Sequence, residues 1–116
     1  MATNLGVYGL LSSPPLSVLF VTVSSAKEAK RISVSLVENR LAACVNIIPS
    51  VQSVYKWNGE LNMDDELLLI IKTKSDLVKE IEKQVRKLHT YETPEILSFS
   101  VDEANKKYLD WIESVL

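Results

Sequence analysis

Asn58-Gly59 hinges two long strand-like stretches within Arg40 to Lys74, RLAACVNIIPSVQSVYKWNGELNMDDELLLIIKTK. Adjacent Asn and Gly favour the positive backbone angles of a type I′ turn, whose twist matches a right-handed antiparallel pair. Val54 to Trp57 and Glu60-Leu61 therefore extend as paired strands. The first arm starts near Ala42 and, continuous to Trp57, is far longer than the usual strand of about five or six residues. Pro49 cannot donate to a ladder and marks a bulge or an edge about halfway along it. Beyond the turn, Leu61 to Asp65 is polar and expected to be irregular. Glu66 to Thr73 is then a nearly solid apolar strand, expected to be buried on both faces.

The flanking segments supply cover. Leu16 to Val23, LSVLFVTV, has the β-branched and aromatic content of a central strand. Ser25 with Glu28 forms a capping-box pattern, so a helix is expected from about Ala26 to Asn39. Its apolar stripe is Ala29, Ile32, Leu36 and Val37, with Lys27, Glu28, Lys30, Arg31 and Glu38 in solvent. Ser75 or Thr73 is expected to cap a second helix, about Asp76 to Leu88, with Leu77, Ile81, Val85 and Leu88 on one face. Pro94 to Val101 alternates as a half-buried fourth strand, and Asp102 or Asn105 then caps a last helix carrying Tyr108, Leu109, Ile112 and Val115. The order β-α-β-β-α-β plus a terminal helix is the α+β ferredoxin-like arrangement, an antiparallel sheet with both main helices on one face. Its other face needs cover from the terminal helix, from other subunits, or from both. A hairpin this long exposes unpaired edges, which predicts homo-oligomerisation by edge pairing.

The 116 residues suit one domain, expected over 16–116, after a loosely held extension over 1–15 that ends in Pro14-Pro15. That extension lacks the basic residues of a secretory signal or transit peptide. A formal net charge of −2, with lysines interleaved among acids, argues against a nucleic-acid partner. The single cysteine, Cys44, cannot form an internal disulfide and suits a reducing compartment, the cytoplasm. Leu67 to Ile71, the longest apolar run, is far short of the ~20 residues a helix needs to span a bilayer.

Few residues offer chemistry. There is no Gly-rich phosphate loop, and a nucleophile would need Cys44 and His89 to meet in space, which spacing cannot establish, so no enzyme is expected. His89-Thr90-Tyr91-Glu92-Thr93-Pro94-Glu95 is the densest segment. Imidazole and carboxylates on one loop suit a divalent transition metal, with copper favoured by affinity order. A histidine there can equally serve only to stabilise a helix C-terminus. Lys72 either snorkels at the sheet edge or supplies positive charge to a cleft. Tyr55 with Trp57, and Tyr108 with Trp111, read as core or interface packing.

RLAACVNIIP, SVYKWNGE, DELLLIIKT, HTYETPEI and YLDWI, in that order, resemble the CutA family of divalent-cation-tolerance proteins over about Leu16 to Leu116. The resemblance implies a homotrimer of ferredoxin-like protomers with long strands pairing between subunits. It also implies an architecture similar to the PII signalling proteins, a role in tolerance to divalent metals such as copper, and in animal members the anchoring of a partner protein. Carried over by motif, the candidate metal ligands are Cys44, His89 and Glu92, while Lys72 and Tyr91 would line an intersubunit cleft that could instead hold a small ligand. Thr90 and Ala104 stand where the family often has proline and glycine.

Overall fold

The computed structural model describes residues 15–116, so the expected extension lies almost entirely outside the described residues. The element order is β1 (Leu16–Val23), α1 (Ala26–Glu38), β2 (Cys44–Trp57), β3 (Glu60–Lys74), a 3-10 turn (Ser75–Leu77), α2 (Val78–Leu88), β4 (Ile96–Val101) and α3 (Lys106–Val115). The strands form one antiparallel sheet in the order β2-β3-β1-β4. This is the ferredoxin-like α+β arrangement expected from the sequence.

The pleat sorts the core. Leu19, Val21 and Val23 of β1 and Leu69 and Ile71 of β3 share one face, where Ala29, Ile32 and Leu36 of α1 and Ile81 and Val85 of α2 seal them from water. Val37, expected in the α1 stripe, is exposed. The opposite face is covered at one end only, where Ile112 of α3 packs with Leu16, Val101 and Tyr108. Phe20 and Phe99, with ring centroids 5.0 Å apart, remain on the uncovered part, and Phe99 and Leu97 are exposed. In this single chain the apolar run of β3 is therefore buried on its helix face only; Leu68 and Ile70, on the other face, are partly exposed.

Asn58 (φ 53°) and Gly59 (φ 79°) are both left-handed, as a type I′ turn requires. Leu61 to Asp65, expected to be irregular, belongs to β3 and pairs throughout with β2. Cross-strand hydrogen bonds satisfy its backbone whatever its side chains are, so polarity on a projecting ribbon does not interrupt it. The break falls where Pro49 placed it: Ile48 faces Leu68 and Val51 faces Glu66, so Pro49 and Ser50 oppose Leu67 alone, with Ser50 at φ 63°. Because β1 ends its pairing at Leu67, the segment from Glu60 to Glu66 projects beyond the sheet by roughly 20 Å, at ~3.4 Å per residue.

Helix ends differ in detail from the expectation. Ser75 and Thr73 do not cap α2: the Ser75 hydroxyl pairs with Ser17 and the Thr73 hydroxyl donates to the Leu41 carbonyl, so both tie the sheet instead. At the end of α1, Leu41 N–H bonds the Leu36 carbonyl at 2.9 Å and Arg40 N–H the Val37 carbonyl at 3.1 Å, a Schellman closure with Arg40 at φ 58° where glycine is usual. Arg40→Gly relieves that left-handed strain and is expected to raise unfolding stability by about 0.5–1 kcal/mol, read as a higher urea midpoint at unchanged slope.

Candidate functional site

Two loops meet at the end of the sheet from which the hairpin projects. One joins β1 to α1 through Ser24-Ser25; the other runs from His89, the C-cap of α2, to β4. Ser25 caps α1 as expected, accepting from Glu28 N–H at 3.1 Å. The Glu28 side chain, expected in solvent, is buried. One oxygen accepts from the amide and hydroxyl of Ser24 at 3.1 and 3.0 Å, and the other from the amide and hydroxyl of Thr90 at 2.9 and 3.0 Å. Burial alone would raise its pKa, but the Thr90 and Ser24 hydrogen bonds together outweigh that and hold it below the ordinary carboxylate value.

His89 is buried beside this carboxylate, with Nδ1 3.3 Å from Glu28 Oε2. The Tyr91 amide donates to Nδ1 at 3.0 Å, so Nδ1 keeps its lone pair there and the ring proton sits on Nε2, 2.7 Å from the Thr22 carbonyl. Both ring nitrogens are thus committed within the chain. The imidazole also packs on the Tyr91 ring, centroids 4.7 Å apart.

Tyr91 carries the arrangement into an open cleft of about 350 Å³ between the hairpin and the β4 loop. Its hydroxyl donates to Glu66 at 2.8 Å, and that of Tyr55 donates to Asp64. Asp64, Glu66, Glu92 and Glu95 all line this cleft, and among the described residues no lysine or arginine does. Glu66 is only 8% exposed. Burial, then the neighbouring Glu66, pushes the Glu95 carboxyl up. Burial and the hydrogen bond to Glu66 push the Tyr91 hydroxyl well above the usual tyrosine range, so it stays a donor. The cleft is negative, partly desolvated and aromatic-walled, a setting that attracts cations.

The five residues singled out in the sequence do not all come together. Tyr91 and Glu92 line the cleft and His89 backs it. Lys72 and Cys44 face each other in the ladder four residues along β3 from Leu68, the partner of Thr22, and so lie about 13 Å farther down the sheet. They stand together at the end of the hairpin opposite Asn58-Gly59. Lys72 lines a separate cavity of about 260 Å³ under α3, with Nζ 6.0 Å from the centre of the Tyr108 ring. Among the described residues no three His, Cys, Asp or Glu side chains converge closely enough to hold a metal ion. A cation shared by Cys44 and His89 or Glu92 therefore requires more than one chain.

Glu28, Asp64 and Glu66 were not expected as site residues from the sequence, and Glu95 figured there only as part of the His89–Glu95 loop. Glu28 was absorbed into a capping box, which accounts for its amide on Ser25 but not for the partners of either carboxylate oxygen. Glu66 carries a usable signal, a carboxylate opening the apolar run ELLLII.

A ferredoxin-like α+β domain with a projecting hairpin and an acidic cleft at its base is the class of protein that these features define. The family described as CutA1 divalent ion tolerance protein matches residues 17–115. The chain is 45% identical to the divalent-cation tolerance protein CutA of Thermus thermophilus over 95 residues, 82% of this chain and 92% of that one. It is 44% identical to the mouse Protein CutA over 100 residues, 86% of this chain but only 56% of that one, so it spans little more than half the length of the mouse relative. The crystal structure of CutA1 from Oryza sativa superposes with a TM-score of 0.87 at 39% identity, covering 89% of this chain and 94% of that one. The chain belongs to the CutA family.

Proposed function

We propose that the protein serves divalent-cation tolerance as a homotrimer that holds the cation as exchangeable cargo in its acidic clefts. The observation that carries this reading is the cleft at Tyr91: among the described residues four carboxylates line it and no basic side chain does, and Glu95 ionises there against burial and against Glu66. A cation relieves that repulsion, and because no three acidic side chains among the described residues converge on one point, it is held partly hydrated and chiefly through oxygen. Copper(II) is the tightest binder expected by affinity order, and sulfur from Cys44 of a neighbouring subunit would strengthen that preference, whereas both nitrogens of the buried His89 ring are already engaged. Family membership and the names of the relatives support the tolerance role. The unpaired Cys44 thiol supports a cytoplasmic setting, and none of the described helices is long and apolar enough to cross a membrane. The role is binding, not catalysis.

A second reading rests on Lys72. Its ammonium lies against Tyr108 in the cavity under α3, which suits a small anionic ligand and a PII-like adaptor role. Calorimetric titration with Mn²⁺ and Cu²⁺ at pH 7 separates the two. Glu66→Gln is expected to weaken Mn²⁺ binding at least about tenfold, and Lys72→Ala to leave it unchanged. Equal Mn²⁺ affinity in wild type and Glu66→Gln would overturn the cation reading.

A further inference from the structure

We infer that Glu28, which does not itself line the cleft, is the positioning residue that fixes its Tyr91 wall; the inference rests on the cation reading only for its effect on binding. Tyr91 belongs to a loop with no regular secondary structure between α2 and β4, yet its hydroxyl must reach Glu66 on the hairpin at 2.8 Å. Two contacts set its backbone. The amide of Tyr91 is held by His89 Nδ1, and the preceding residue, Thr90, is held through both amide and hydroxyl by one oxygen of Glu28. The other oxygen of Glu28 is anchored by Ser24, at the start of α1. A single buried carboxylate thus joins the first turn of α1 to the segment that presents Tyr91.

The chemistry of that carboxylate suits the task. Four donors address its two oxygens in pairs, so its orientation is fixed on both sides, and hydrogen bonds to a charged acceptor are shorter and stronger than neutral ones. His89 completes the support: with its Nε2 proton on the Thr22 carbonyl, its lone pair is aimed at the Tyr91 amide. Glutamine in place of Glu28 has the same shape but one oxygen only, and its NH₂ group meets donors on either the Ser24 or the Thr90 side. One of the two anchors must open.

The test compares wild type, Glu28→Gln and Thr90→Val in the full chain by amide hydrogen exchange and Mn²⁺ titration. In Glu28→Gln the Tyr91 and Thr90 amides are expected to lose protection at least about tenfold more than those of Leu19 and Ile71, and Mn²⁺ affinity is expected to fall roughly 10- to 100-fold, the usual consequence of losing an outer support of a binding site. Thr90→Val, which keeps the Thr90 amide and removes only the hydroxyl, is expected to move both readouts in the same direction by less, and it decides the matter if Glu28→Gln does not fold. A purely structural carboxylate predicts equal loss of protection at Tyr91 and in the core with unchanged affinity in the folded variant, and that result overturns the inference. If wild type itself binds no Mn²⁺, the cation reading fails and the exchange comparison alone decides the role of Glu28.

Discussion

Leu61→Asp combined with Met63→Asp is expected to convert the protein from a three-chain to a one-chain species by sedimentation at micromolar concentration. Both side chains lie on one face of the projecting hairpin with Val54, and they are 71%, 61% and, for Val54, 57% exposed in the single chain. Full burial of an aliphatic side chain is worth about 1.5–3 kcal/mol, so covering these three against a neighbour contributes several kcal/mol per chain. Tyr55 and Trp57, exposed on the other face of the same ribbon, add to the area available. A carboxylate at each of two positions replaces that gain by the cost of burying unpaired charge. In the unmodified protein the same coupling is expected to make the thermal midpoint rise with protein concentration. A one-chain mass for wild type, or a three-chain mass for the double variant, would contradict the assignment of the hairpin to assembly.

Glu28→Ala is expected to be the most damaging single change outside the aliphatic core, costing about 2–4 kcal/mol of a total that for a domain of this size is about 5–15 kcal/mol. The side chain is buried, and its removal leaves the amides of Ser24 and Thr90 and the hydroxyls beside them without an acceptor. The effect has a defined pH dependence. The native carboxyl titrates below the 4.5 it has when free, so its contribution is complete above that pH and is withdrawn as pH falls through the lower native value. The gap in urea midpoint between wild type and Glu28→Ala is therefore expected to be constant from pH 6 to 8 and to narrow below about pH 4.5. A gap that widens on acidification would show that Glu28 is not held as a carboxylate.

The folding pattern was legible because each element announced itself locally. Asn58-Gly59 can form few turns other than the one observed, and Pro49 marks the bulge it occupies; β4 forms where its alternation placed it, but Leu97 and Phe99 of its apolar face are exposed in the single chain. Legibility failed where a side chain has two partners far apart in sequence. Glu28 matches the capping-box pattern through its own amide, which Ser25 caps, but its side chain takes Ser24 in place of the Ser25 amide and its second oxygen serves Thr90, 62 residues away, and no local pattern encodes that. Arg40 occupies a left-handed helix end without the glycine that would have marked it, because the Schellman hydrogen bonds outweigh the strain. The cleft was legible only in part: Tyr91 and Glu92 stand out on their loop, whereas Asp64 and Glu66 join them only through the register of the hairpin. Cys44 and Lys72 were easy to single out as chemically distinctive residues, yet the same register holds them opposite one another and away from His89.

Anomalous diffraction from crystals soaked in Mn²⁺ tests the acidic cleft most directly. A peak among Asp64, Glu66, Glu92 and Glu95, beside the Tyr91 hydroxyl and absent from Glu66→Gln crystals, is the predicted result. Manganese found only elsewhere on the protein, or a peak in the cleft that persists unchanged in Glu66→Gln, would contradict it.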